Sequence, residues 1–303
     1  MRKVFLLWAV SLLLSGCQAI GIGSGSGSVP QAKQARVNGI DLPYVEQGRG
    51  VPVVFVHGSM TDYRIWEAQR PAVAARYRYI AYTQRYFGSQ PWPDDGKQFS
   101  QATHAADLIA FIETLNAGPV HVVAWSYGGS VATLAASRRP DLFRSLSLHE
   151  PTIGSLIAGT PQGTAAIGDF GREVGQIRAV SNGGDVARAT REFWEFVLRL
   201  PPGGLASEPQ RLQQIVADNQ RSVPLTLNAP PQPITCDGVK AIKAPVLVTV
   251  GAETRPLWTL AGTALRQCVP DGELVTIANS NHDAIVRAPQ AFNAALLSFL
   301  DSH

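Results

Sequence analysis

His121-Val122-Val123-Ala124-Trp125-Ser126-Tyr127-Gly128-Gly129 is the stretch whose reading decides the fold. A largely apolar run ends on a serine and passes at once into small residues. It therefore reads as a buried strand, a sharp turn on Ser126, and a helix over 129–137. Such a turn holds its middle residue in a strained backbone conformation, and Ala124, Gly128 and Gly129 are small enough to let strand and helix approach. Ser126 then stands exposed above the sheet. The N–H of Tyr127 opens the helix, where unpaired donors and the helix dipole favour developing negative charge.

On either side of this turn the chain alternates strand and helix, as βαβ units require. Upstream, Asn38-Gly39 marks a hairpin over 35–47. The apolar run Val51 to Val56 reads as a strand covered on both faces, and it ends in His57-Gly58-Ser59-Met60. A helix over 62–77, a strand over 79–82 and a loop over 83–89 follow, with Arg85 expected to anchor that loop. The helix over 100–115 carries Ala105, Leu108, Ile109 and Ile112 on one face, with His104 and Asp107 expected as a surface pair. Downstream, a strand over 144–149 is closed by Glu150-Pro151. From about 152 to 235 the strand rhythm is lost, and a helix around 191–200 bears Phe193, Trp194, Phe196 and Val197. That length between two strands predicts a helical cap over the site, its aromatic residues either lining a pocket or fastening the cap. Strands over 245–250 and 273–277 enclose a helix over 257–267. The polar loop Asn279-Ser280-Asn281-His282-Asp283 precedes a closing helix over 289–300.

With 303 residues, 45% hydrophobic and 16% charged, the chain can bury one sizeable core, which suits a single α/β domain with an insertion. A net charge of +3 with scattered Lys and Arg leaves no footprint for nucleic acid, so the expected partner is a small molecule.

Three features together resemble the α/β-hydrolases. Ala124-Trp125-Ser126-Tyr127-Gly128 is similar to the G-x-S-x-G nucleophile elbow, with Ala124 in place of the first glycine. His57-Gly58 resembles the turn whose following loop supplies the second oxyanion donor, here the N–H of Ser59 or Met60. His282 lies in the loop after the final strand, where this family places its general base. The resemblance implies an α/β-hydrolase fold, with a mostly parallel twisted sheet flanked by helices and a helical cap at about 152–235. It also implies Ser126 as nucleophile, His282 as base, and Ser59 and Tyr127 as oxyanion hole, with His57 bracing its loop. The chemistry needs this set because a serine hydroxyl is a poor nucleophile until an imidazole takes its proton, and the imidazole needs a carboxylate to orient it.

The family pattern leaves two choices for that carboxylate. Most relatives carry it three residues beyond the glycine ending the penultimate strand. Counting from Gly251, that position is Thr254, which cannot serve. Glu253 is one residue earlier. Glu150 closes the preceding strand, where a minority of the superfamily has its acid; Glu150 is preferred and Glu253 is the alternative. Ser126 argues against haloalkane dehalogenases and epoxide hydrolases, which use aspartate as nucleophile. The expected activity is that of a serine hydrolase acting on a small carboxylic ester or related acyl substrate through an acyl-enzyme. C–C bond hydrolysis, perhydrolysis and non-catalytic binding of a small molecule are the alternatives. No metal or organic cofactor is required.

At the N-terminus, Arg2 and Lys3 precede the apolar run Val4 to Leu14 and then Ser15-Gly16-Cys17, the order of an export signal too short to span a membrane. Leu14-Ser15-Gly16-Cys17 resembles the bacterial lipobox. This implies a signal peptide over 1–16, acylation of Cys17 and tethering to a lipid bilayer, with Gln18 pointing to the outer membrane. A lipidated cysteine and Gly/Ser leash over 17–35 would then carry the domain at 36–303. Cys236 and Cys268 remain; in an exported protein they can form a disulfide, with two free thiols as the alternative, and their spacing does not suit zinc.

Overall fold

The computed structural model describes residues 30–303, so the leader and Cys17 lie outside the described residues. Strands β1 (Lys33–Val37) and β2 (Ile40–Gln47) form a hairpin through Asn38 and Gly39, whose φ values of 43° and 79° give the turn that matches strand twist. The other strands are β3 (Pro52–Val56), β4 (Arg78–Tyr82), β5 (Val120–Trp125), β6 (Phe143–His149), β7 (Val246–Gly251) and β8 (Gly272–Ile277). They form one eight-stranded sheet in the order β1-β2-β4-β3-β5-β6-β7-β8. The β1–β2 and β2–β4 pairs are antiparallel and every other pair is parallel.

All residues of β3, β5 and β7 are buried, the physical reason that these strands read as apolar runs. Alternate side chains serve opposite layers. Val54, Val56, Val122 and Ala124 face the layer built by the helices Gln101–Thr114 and Tyr127–Arg138, while Val53, Phe55, Val123 and Trp125 face the short helix Arg70–Ala74 and the C-terminal helix Pro289–Ser302.

The expected helix over 62–77 is instead a 3-10 turn (Tyr63–Trp66) followed by α1 (Arg70–Ala74). Asp62 caps the turn by accepting from the Arg64 N–H, and Pro71, which has no N–H, starts the second helix anew. α2 (Gln101–Thr114) begins on Ser100, whose side chain accepts from the Thr103 N–H. His104 and Asp107, expected as a surface pair, are both buried and take separate partners. His104 Nδ1 lies 2.7 Å from the Tyr127 hydroxyl, and Asp107 accepts from the Arg85 guanidinium at 2.7 and 2.9 Å. The inward face of α2 is wide enough to include them because α3 (Tyr127–Arg138) packs along it. Arg85 thus anchors its loop.

Between β6 and β7 come α4 (Pro161–Asn182), α5 (Val186–Val197), α6 (Gln210–Asp218), α7 (Val223–Asn228) and the short α8 (Cys236–Val239). α9 (Pro256–Cys268), α10 (Ala284–Arg287) and α11 (Pro289–Ser302) complete the chain. The sulfurs of Cys236 and Cys268 lie at disulfide distance, 2.19 Å, joining the first residue of α8 to the last of α9.

Candidate active site

Ser126 sits between β5 and α3 with φ 55° and ψ −119°, a conformation that costs an L-residue about 1–3 kcal/mol. The backbone holds it there: its N–H donates to the His149 carbonyl at 2.9 Å, and its carbonyl accepts from the Thr152 N–H at 3.2 Å. Glycine is required next to it. A Cβ on Gly128 would lie 2.4 Å from the His57 carbonyl oxygen, and one on Gly129 would lie 2.7 Å from the Pro151 Cβ. Met60, Tyr86, Glu150 and Asn279 also have positive φ, each in a loop that leaves the carboxyl end of a strand.

The structure brings His282 and Glu150 to this serine. His282 Nε2 is 3.0 Å from Ser126 Oγ, and its Nδ1 is 2.6 Å from Glu150 Oε2. Glu150 also accepts from the Gly251 N–H at 2.7 Å and from the Thr254 hydroxyl at 2.8 Å. Burial alone would push its carboxyl up, but the His282 hydrogen bond, the neighbouring imidazoles and the Gly251 amide together hold it below the usual carboxylate range. An ionised carboxylate only accepts, so His282 Nδ1 carries the proton and Nε2 keeps a lone pair for the serine hydroxyl. Glu253 is not part of this chain: it is exposed, and its backbone carbonyl accepts from Arg199 at 3.0 Å.

Four neighbours were not singled out as site residues in the sequence. Trp258, near the start of α9, stacks on the His282 ring with centroids 3.7 Å apart and planes 14° from parallel. Thr152 places Oγ1 3.3 Å from Ser126 Oγ, and Thr254, set aside above as unable to act as the acid, supports the acid instead. Trp125, within the elbow strand, donates its indole N–H to the His282 carbonyl at 2.8 Å. Only the Thr254 contact carried a sequence signal, its position three residues past Gly251.

The N–H of Tyr127 is the first of α3 and has no intrahelical acceptor, and Ser59 stands beside it on the same cavity wall. Gly58 lets the β3 loop lie this close: a Cβ there would be 3.0 Å from the Trp125 ring and 3.3 Å from the Ser126 Cβ. His57 braces the loop. Its Nε2 accepts from the Gln84 N–H at 3.0 Å, Nδ1 is 2.8 Å from the Gly58 carbonyl oxygen, and burial pushes the imidazole down to about 4. It is a neutral strut whose ring nitrogens are both engaged.

Above Ser126 lies a cavity of about 150 Å³. Phe170 and Val174 of α4, Phe193 and Val197 of α5 and Leu227 of α7 form its apolar wall, and among the described residues no Asp, Glu, Lys or Arg lines it.

Fold and site together define a mostly parallel α/β sheet carrying a strained serine hydrogen-bonded to histidine and carboxylate at its carboxyl edge. The chain belongs to the alpha/beta hydrolase family, whose sequence profile matches residues 53–295. BpoC of Mycobacterium tuberculosis, named for the non-heme bromoperoxidases, is 28% identical over 285 residues, 87% of this chain and 98% of its own. The soluble epoxide hydrolase of Corynebacterium sp. strain C12 is 32% identical over 126 residues, 42% of this chain and 43% of its own. Among solved structures, the bromoperoxidase from Bacillus anthracis superposes with a TM-score of 0.73 at 24% identity, covering 89% of this chain and 100% of that one. The thermophilic esterase from Thermogutta terrifontis gives 0.68 at 22% identity, covering 90% and 98%. These likenesses establish the fold.

Proposed function

We propose that the chain is a serine hydrolase of small, uncharged carboxylic esters, working through an acyl-enzyme. The observation that carries this is the unbroken hydrogen-bonded chain from Ser126 through His282 to Glu150. Ser126 Oγ attacks the ester carbonyl while its proton passes to His282 Nε2, and Glu150 steadies the imidazolium that forms. The N–H groups of Tyr127 and Ser59 hold the oxyanion; one such donor is worth about 10²–10³ in kcat. His282 returns the proton to the departing alkoxide, and water then repeats the sequence on the acyl-enzyme. An uncharged wall offers no partner to a substrate carboxylate or ammonium, which burial would leave unpaired at a cost of several kcal/mol. The small cavity suits a short acyl group.

The likeness to BpoC favours one variation, in which hydrogen peroxide replaces water in deacylation and the acyl group leaves as a peracid. Acylation of Cys17 would tether the enzyme to a bilayer of the cell envelope; Cys17→Ser should then abolish incorporation of labelled palmitate.

A fluorophosphonate probe tests the central reading. The purified protein is expected to be labelled and to hydrolyse 4-nitrophenyl acetate faster than long-chain esters, with Ser126→Ala abolishing both. Absence of labelling and of turnover would leave a small-molecule binding protein.

A further inference from the structure

An indole N–H can donate but not accept, and the Nε2 lone pair of His282 accepts but does not donate, so the two ends together set the hydrogen-bond directions through Ser126. Trp258 Nε1 lies 3.3 Å from Thr152 Oγ1, which lies 3.3 Å from Ser126 Oγ, which lies 3.0 Å from His282 Nε2. The Nε2 lone pair takes the Ser126 proton, so between the two hydroxyls Thr152 is the donor to Ser126 Oγ, while its own oxygen accepts from the indole. Ser126 then has an oxygen already accepting, and its proton is aimed at the lone pair of His282. The same indole lies flat on the imidazole, 1% exposed, and so touches the other end of the transfer. Stacking fixes the plane in which Nε2 meets the serine, and the ring face attracts the imidazolium once it forms.

We infer that Trp258, acting through Thr152 and through its face on His282, is the residue that positions both the nucleophile and the base. This rests on the serine hydrolase reading above. Trp258 is a positioning residue: it reaches Ser126 only through Thr152 and exchanges no proton. The charged and titratable groups around the His282 ring and its loop are Glu150 at Nδ1, His149 on β6, and Asp283, which is paired with Arg287 at 2.6 Å. None of these changes with Trp258, so a shift in pH profile on its substitution reports the ring itself.

Trp258→Phe keeps an aromatic face and removes the donor, whereas Thr152→Val removes the hydroxyl at nearly constant volume. Each is expected to lower kcat on 4-nitrophenyl acetate and the rate of fluorophosphonate labelling about five-fold. The double variant should be no slower than either single, since the donor and the hydroxyl act as one chain. Trp258→Leu also loses the face, and the acid limb of kcat/KM should move about half a pH unit downward, while Trp258→Phe leaves it in place. Thermal unfolding of each variant separates these effects from loss of fold. A parent protein that does not label overturns this inference together with the hydrolase reading. A parent that labels, with Trp258→Phe at full rate, with additive single effects, or with an unmoved acid limb in Trp258→Leu, overturns this inference alone.

Discussion

Glu150 accepts three hydrogen bonds, from His282, Thr254 and the Gly251 amide, on two oxygens. Replacing it with glutamine keeps the shape but turns one acceptor into a donor. Wherever the new NH₂ points it faces an N–H or O–H, and if it faces His282 the imidazole must take the tautomer that cannot accept from Ser126. Glu150→Gln is therefore expected to lower kcat by about 10³–10⁴ with the fold retained. Glu253→Gln, on an exposed side chain outside the hydrogen-bonded chain, should leave kcat within experimental error. Steady-state kinetics of the two variants decide the matter, and the reverse pattern would move the acid to Glu253.

At the scale of elements, α3 has to begin within contact distance of the carbonyls that end β3. A Cβ on Gly128 would meet two backbone oxygens, those of His57 at 2.4 Å and Val56 at 2.7 Å, and neither can turn away without shifting the loop that carries Ser59. Gly128→Ala should cost about 1–3 kcal/mol of stability and most of the activity, because it pushes Ser59 and Ser126 apart. Gly168→Ala is the contrast: it lies exposed within α4 with open space around it, and should raise stability by about 0.5–1 kcal/mol. Chemical denaturation of both variants measures the difference. This dependence of α3 on glycine is also why the elbow was legible in the sequence. The parallel strands were legible because burial on both faces permits little but apolar residues. Bounds within the cap were harder: α5 starts at Val186, ahead of its aromatic residues, because the Asp185 side chain accepts from the Arg188 N–H and caps it there. Ser126, His282 and Glu150 could be singled out as candidates because each closes a strand or follows one. Trp258 and Thr152 could not, since they are 106 residues apart and meet only because the loops after β6 and β7 converge.

The molecule as a whole buries four histidines that take no part in the proposed proton transfer: His57 after β3, His104 on α2, His121 on β5 and His149 at the end of β6. Desolvation is the leading cause that pushes each down, to about 4 for His57, His121 and His149 and to about 3 for His104. Unfolded, each would titrate near 6.5. Between these limits the unfolded chain binds protons that the folded chain refuses, so stability rises with pH across that window. It is fully present above about pH 6.5 and drains away as pH falls toward 4, with a slope approaching 1.4 kcal/mol per pH unit for each histidine. Glu150, held low in the folded state, adds a loss of the same sign below about pH 4.3, where the unfolded carboxylate protonates first. Tm is therefore expected to fall markedly from pH 7.5 to pH 5.0. His121 offers the cleanest check, because it sits on β5 at the opposite end from Ser126, and its Nδ1 lies 2.7 Å from the Ser145 hydroxyl. His121→Asn retains a polar atom for Ser145 but takes up no proton. Its Tm should be lower at pH 7.5 and should fall less steeply on acidification. A parallel fall in variant and parent would show that the buried imidazole at 121 does not set the acid limit of this fold.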